Sequence, residues 1–421
     1  MDEVSTSPSK KSHTLLWKHA DFMKLWLGQT ISEFGSQITG LALSLTAVIV
    51  LHATANDMGV LEALQGIPFL FALFAGVLAD RVRRRPLLIF ADSGRFVLLI
   101  LIPLAVLFHV LNMGFLFVVV FGVGCLTVLF DVAYQSYLPS VVSSSELVEG
   151  NSKLESTRAV SAIAGPALAG VLVQWLTAPF ALLIDAGSYL VSVISIIVIR
   201  RSESIETLPH QLGIWTQIRE GMAFVVKNSF LRSIVITTAL GNFFSGITGA
   251  VMILFAVRGI GMNASLLGVV YALDAIGAAV GAIMGGRLGR SVGLGRAIII
   301  AQTSSTIGGF LLPLAHRPVV VGFSLYVASG VLISFGAVAY NVNQVSARQA
   351  ITPAQLLGRM TASIRFIIWG IIPFGSLLGG ILGSHIGLRP TLMISAAGGV
   401  LPVLWAVLSP IRAMRSVSEI G

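Results

Sequence analysis

Glu33, Glu62, Asp185 and Asp274 each stand inside a long apolar run of this chain. An ionisable side chain in such a setting is costly and is a functional position by default. Glu33 has the best-developed surroundings. In GQTISEFGSQIT, Gln29, Ser32, Ser36 and Gln37 fall at three- and four-residue spacings that let them share its helix face. A carboxylate on such a stripe, drawn out of bulk water, favours its neutral form and can trade protons. The expected chemistry is proton uptake and release, coupled to whatever else binds there, with a structural hydrogen bond to another helix as the alternative. Asp274, within VVYALDAIGAAVGA, is the second candidate and has few polar neighbours in sequence. Glu62 and Asp185 fall about one turn inside the outer edges of their runs, where water would reach them.

The elements that must position these groups follow from composition. Hydrophobic residues make up 55% of the 421 and the mean hydropathy is +0.91, beyond the range of a soluble domain. The apolar residues come in runs of helical rather than alternating pattern, long enough to cross a bilayer. Twelve spans are expected, near 22–51, 58–80, 87–109, 113–134, 156–176, 180–200, 232–257, 264–288, 296–315, 319–343, 358–383 and 389–410. An even number puts both termini on one side. Basic residues cluster on that side, at Lys10, Lys11, Arg81, Arg83, Arg84, Arg85, Arg200, Arg201, Arg290 and Arg412, among others. The opposite loops offer only Arg258, Arg317 and Arg389. By the positive-inside rule both termini are cytoplasmic. The formal charge of +9 is thus a matter of orientation, and no nucleic-acid partner is expected.

The longest inner connection divides the chain into a tail (1–21), a six-span half (22–200), a linker (201–231), a second six-span half (232–410) and a short tail (411–421). The opening MDEVSTSPSKKSH reads as a soluble tail rather than a cleaved signal peptide. In the linker, WTQIREGMAFVV sets Trp215, Ile218, Met222 and Val225 at helical spacing, as an amphipathic helix at the inner interface would. The single Cys125 allows neither an intrachain disulfide nor a cysteine metal site.

The halves echo each other. GVLADRVRRRP (76–86) follows the second span, and GGRLGRSVGLGR (285–296) follows the eighth, which is second in its own half. A looser echo joins residues 143–172 to 352–382. At this point the chain resembles the major facilitator superfamily, whose signature G-x-x-x-D-R-x-G-R-[RK] is met by Gly76, Asp80, Arg81, Arg84 and Arg85, with Arg83 in place of the second glycine. A glycine there could take a positive φ at little cost, so its loss bears on the tightness of the turn. LWLGQTISEFGSQIT, FDVAYQSYLPSVV and ELVEGNSKLESTRAV are similar to the bacterial subgroup of macrolide efflux proteins and the enterobactin exporter.

The resemblance implies an all-α membrane protein of two pseudo-symmetric six-helix halves rocking about a central cavity. It implies that the 76–85 loop latches the inner gate, with Asp80 facing span eleven and Arg81 or Arg84 pairing with Asp131 at the end of span four. Arg158, at the start of span five, is placed to join that cluster. GPALAG, with Gly165, Pro166 and Gly170, resembles the Gly-Pro motif of antiporters in the superfamily, though Ser161 and Ala169 stand where glycines are common. General small-residue packing accounts for it equally well.

The resulting expectation is a monomeric, proton-coupled exporter of a drug-like or siderophore-like small molecule in the bacterial inner membrane, in contact with lipid and needing no cofactor. A lipid or lysolipid transporter, or an importer, is the alternative on the same fold. No H-E-x-x-H or comparable catalytic set appears in the spans, and no G-x-x-x-x-G-K-[ST] is present, so an intramembrane enzyme and a nucleotide-driven pump are disfavoured. The topology has a direct check. In a Cys125→Ala background, single cysteines at Asn56 and Asn112 should label from outside intact cells and one at Ser204 should not. Equal labelling of all three would overturn the span order.

Overall fold

The computed structural model describes residues 16, 19–71, 75, 82–143, 146–200 and 214–414. Every regular element among them is helical. The first half contains α1 (Ala20–Leu45), α2 (Ala55–Gly66), α3 (Arg84–Leu107), α4 (Met113–Val141), α5 (Leu147–Leu176) and α6 (Ala178–Val198). After a linker helix, α7 (Ile214–Lys227), the second half contains α8 (Ser229–Leu254), α9 (Ala264–Val292), α10 (Leu294–Leu311) and α11 (Val319–Ile351). Its eleventh span is broken into α12 (Ala354–Gly370) and α13 (Ile372–Ile386), and its twelfth into α14 (Leu388–Gly398) and α15 (Val400–Leu408). Among the described residues, eleven helices are long and apolar enough to cross a membrane. The remaining expected span is the second, seen as α2 and the 3-10 turn Ile67–Phe71.

Local chemistry sets the helix ends. Thr54 and Asp57 form a reciprocal capping box on α2, and the side chains of Asn112, Asn228 and Asn263 accept from the first free N–H groups of α4, α8 and α9. Each cap satisfies donors that lipid would leave orphaned. The repeat is visible at spans one and seven, which both end in π turns, Thr46–Val50 and Phe255–Ile260.

The halves meet through glycine. On α2, a Cβ at Gly59 would lie 2.6 Å from the Ser376 carbonyl and 2.8 Å from the Gly380 Cα of α13. On α5, a Cβ at Gly170 would lie 2.7 Å from the Ala264 carbonyl and 2.9 Å from the Gly268 Cα of α9. Such backbone approach is how helices gain dispersion in lipid, where no hydrophobic force drives them together. Both crossings lie toward the end of the bundle formed by residues 55, 176, 264 and 386. There the Asn56 N–H donates to Ser384 Oγ at 3.0 Å, and Arg258 donates to the Val48 carbonyl at 3.2 Å.

The linker helix α7 docks on α12. Val225 is buried with Met360 and Ile364, and Glu220 pairs with Arg359. Arg83, in the place of the signature glycine, has φ −57° and ψ 131°, ordinary extended backbone, so this turn asks for no glycine there. In the corresponding turn of the second half, Gly293 has φ +88° and supplies the positive φ that joins α9 directly to α10.

The tight turns between the fifth and sixth spans of each half are built alike but filled differently. Gly387 has φ +90°, whereas Thr177 occupies its counterpart at φ +67°. A β-branched residue is disfavoured in that region, at a cost of about 1–3 kcal/mol. Thr177→Gly should therefore raise the thermal unfolding midpoint of the purified protein, and an unchanged or lower midpoint would contradict the strain.

Candidate functional site

Two polar centres among the described residues bear on function. The first joins α1, α3, α4, α5 and α6. Arg95 of α3 pairs with Asp92 one turn earlier, and both side chains are almost fully buried. The Arg95 guanidinium sits 4.4 Å from the Phe130 ring centroid of α4 and 4.3 Å from that of Tyr189 of α6. Two aromatic faces and a carboxylate thus replace the water this cation has lost. Asp131 and Asp185 are further electrostatic partners of Arg95. Asp185 is fully buried. It accepts from Thr39 of α1 and from Ser188, the latter at 2.8 Å, so it is a satisfied core group and not the water-facing acid its place in the sequence suggested. Ser36 and the Tyr189 hydroxyl, 3.2 Å apart, add a second tie between α1 and α6.

Glu33 stands at the accessible edge of this network. Its Oε1 lies 3.6 Å from Arg158 Nε of α5 and accepts from Gln29 Nε2 at 3.5 Å. The Arg158 side chain is 57% exposed, so the pair can open without burying an orphaned charge. Arg158 also lies 3.6 Å from Glu155. The cations acting on Asp131 are Arg95 and Arg158, and the acids are Glu33 and Asp92. Arg84 is the first residue of α3, while Gly76, Asp80 and Arg81 lie outside the described residues. Gln37 packs its aliphatic stem against Gly165 of α5. The carbonyl of Pro166 and the Cα of Gly170 both meet Gly268 of α9, which puts the Gly-Pro motif on the seam between halves. An apolar groove of about 450 Å³ runs between α1 and α5, lined by Trp26, Phe34 and Val160 with Lys153 at its edge. It is built from the sequence neighbours of Glu33 and Arg158.

The second centre is a cavity of about 420 Å³ among α8, α9, α10, α11 and α14. Asp274 projects into it from α9. Its sequence neighbours are apolar, yet Ser305, Thr306 and Ser334 face the same space from α10 and α11. Glu62 enters from α2 of the other half, packed against Gly249 of α8.

Asp92 and Arg95 were not among the acids and bases singled out from sequence, although FADSGRFVLL carries them three residues apart inside an apolar run. That i,i+3 spacing of opposite charges was the available signal.

Two six-helix halves in contact through small residues, with charge buried between helices, define a membrane transporter of the major facilitator class. The comparisons agree. A family model described as transmembrane secretion effector matches residues 15–420, and the chain belongs to that family, within the major facilitator superfamily. It is 23% identical over 424 residues to the enterobactin exporter EntS of Salmonella paratyphi A (strain ATCC 9150 / SARB42), covering 97% of each chain. It is 25% identical over 231 residues to the uncharacterized MFS-type transporter YfiS of Bacillus subtilis (strain 168), and spans about half that relative's length, 52% of each chain being covered. The crystal structure of the nucleoside transporter NupG superposes with a TM-score of 0.72 at 14% identity, over 91% of this chain and 98% of that one; this likeness concerns the fold alone.

Removing one partner of a buried ion pair costs about 3–5 kcal/mol, whereas replacing both by apolar groups of similar volume is often near neutral. Asp92→Asn should therefore lower the thermal unfolding midpoint sharply, and Asp92→Leu combined with Arg95→Met should recover most of the loss. A single variant as stable as the wild type would remove the pair from its central role.

Proposed function

We propose that the chain is a proton-driven exporter of a drug-like or siderophore-like small molecule, working by alternating access as a monomer in the bacterial inner membrane with both termini cytoplasmic. One observation carries this reading: in the first half, five carboxylates (Glu33, Asp92, Asp131, Glu155, Asp185) share two guanidinium groups, Arg95 and Arg158. A network with more acids than cations in a poorly hydrated bundle is a natural proton acceptor.

Glu33 is the group to exchange the proton. It is the acid of the set whose partner is on another helix and substantially exposed, so protonation releases Arg158 and with it the contact between α1 and α5. Arg158 is then free for Asp131 or Glu155, which are already in its field. The substrate seat is the groove between the same two helices, where Trp26, Phe34 and Val160 offer apolar surface. Proton and substrate would thereby act on the same two helices, and differential binding to two states is what coupling requires.

Under this topology the glycine crossings at Gly59–Gly380 and Gly170–Gly268 form the outer seal. The Gly-Pro motif is part of it: the proline frees a backbone carbonyl and the glycines let α5 and α9 approach. The 76–85 loop, with Gly76, Asp80, Arg81 and Arg84, is assigned the inner latch on the strength of its family signature. Support for export comes from the whole-length similarity to EntS.

Glu33→Gln removes the charge with little change of shape. In proteoliposomes it should abolish accumulation driven by a pH gradient while substrate exchange down its own gradient continues. Full pH-driven accumulation by the variant would remove Glu33 from the coupling step. Loss of both modes would make it a structural or substrate-binding group instead.

A further inference from the structure

The cavity of the second half is not explained by proton exchange at Glu33, and its composition is selective. Glu62 and Asp274 both open on it, and among the described residues no lysine, arginine or histidine lines it. Glu62 is half-buried, opens on the cavity and makes no hydrogen bond or ion pair with a described residue. Asp274 Oδ1 is likewise buried without a partner. Evolved buried carboxylates are ordinarily paired or hydrogen-bonded, so two that face one space without a counter-ion leave the positive charge to come from a ligand. The remaining walls include Phe244, Met252 and Leu312, and the volume is that of sites for drug-sized molecules.

The backbone makes room for both acids. A Cβ at Gly330 would overlap the Asp274 carboxylate, and one at Gly249 would come within 3.2 Å of Glu62 Oε1. Tyr271 is in the electrostatic field of both acids, and both line the same cavity.

We propose that this cavity binds lipophilic organic cations, with Glu62 and Asp274 as counter-ions to a protonated amine or quaternary ammonium and the apolar walls holding its body. An anionic ligand would meet two carboxylates and no cation. Because Glu62 belongs to α2 and Asp274 to α9, a bound cation bridges the two halves and senses their relative position. The inference rests on reading the chain as a small-molecule transporter, but it can be tested by binding alone, without flux.

The probe is ethidium, followed by fluorescence anisotropy with the purified full-length protein in detergent. Wild type should bind it, and the combined Glu62→Gln and Asp274→Asn variant should bind at least about tenfold more weakly, the equivalent of about 1.4 kcal/mol. Glu149→Gln, a surface charge removal, should leave binding within about twofold of wild type. The uncharged dye N-phenyl-1-naphthylamine should bind wild type and the double variant alike. Ser334→Lys keeps both acids and adds an ammonium to the same wall, so it should abolish ethidium binding and serves should the double variant fail to fold. No ethidium binding by wild type, binding unaltered by either the double variant or Ser334→Lys, or equal loss of the uncharged dye would overturn the proposal. Loss of pH-driven transport with intact ethidium binding would bear on the coupling scheme and leave the cation site standing.

Discussion

A guanidinium inside a bilayer-spanning bundle has to be surrounded by groups that replace its hydration, and Arg95 shows what that demands of the neighbouring helices. Its carboxylate partner comes from its own helix, but the two rings that cover it come from α4 and α6. Asp185, a further counter-charge on α6, is held by Thr39 of α1. Meeting the needs of one cation therefore fixes the relative placement of four helices. The close fit of α1 on α6 depends on the same contact, since Gly35 faces Asp185 and Ser188 with no room for a side chain. Glu33 and Asp131 inherit their positions from this arrangement, and the proposed exchange of Arg158 between acids takes place at its rim.

The seam between halves obeys a different constraint. Lipid offers apolar helices no reason to associate beyond packing, so contact must be close to be worth forming. Gly59 on Gly380 and Gly170 on Gly268 provide that closeness at matching positions in the two crossings. Among the described residues neither crossing contains a buried ion pair, and such a contact can separate without stranding a charge. The polar ties nearby, Asn56 to Ser384 and Arg258 to the Val48 carbonyl, are few and lie toward the same end. The charge network binds helices within a half, whereas the glycine seam joins the halves by close backbone contact. Glu62 is the exception in kind, an acid of one half housed in a cavity of the other.

The span pattern, the two-fold repeat and the family signature were legible because each depends on residues close in sequence: run length, loop charge and short motifs. The polar stripe around Glu33 was legible for the same reason, since a helix converts three- and four-residue spacing into one face. The partner of Glu33 was not, because Arg158 is 125 residues away by number (158 − 33) and no periodicity links them. Asp274 illustrates the converse. Its own stretch is apolar, and its hydroxyl neighbours arrive from α10 and α11. Asp185 had the same sequence signature as Glu62, an acid near one end of an apolar run, yet one is satisfied by Thr39 and Ser188 and the other faces a cavity.

By itself, then, the sequence determined that this chain is a bundle of membrane helices in two related halves, because hydrocarbon thickness and backbone hydrogen bonding leave a long apolar run few alternatives. It also marked Glu33, Glu62, Asp185 and Asp274 as charges carried into the membrane, but not Asp92 and Arg95. Only the tertiary structure decided what each charge meets: Arg95 between two rings, Glu33 against Arg158, Asp185 closed off, Glu62 and Asp274 opening on one space. The reason is that Coulomb energy and desolvation depend on distance and surroundings in three dimensions, and helices far apart along the chain supply those surroundings.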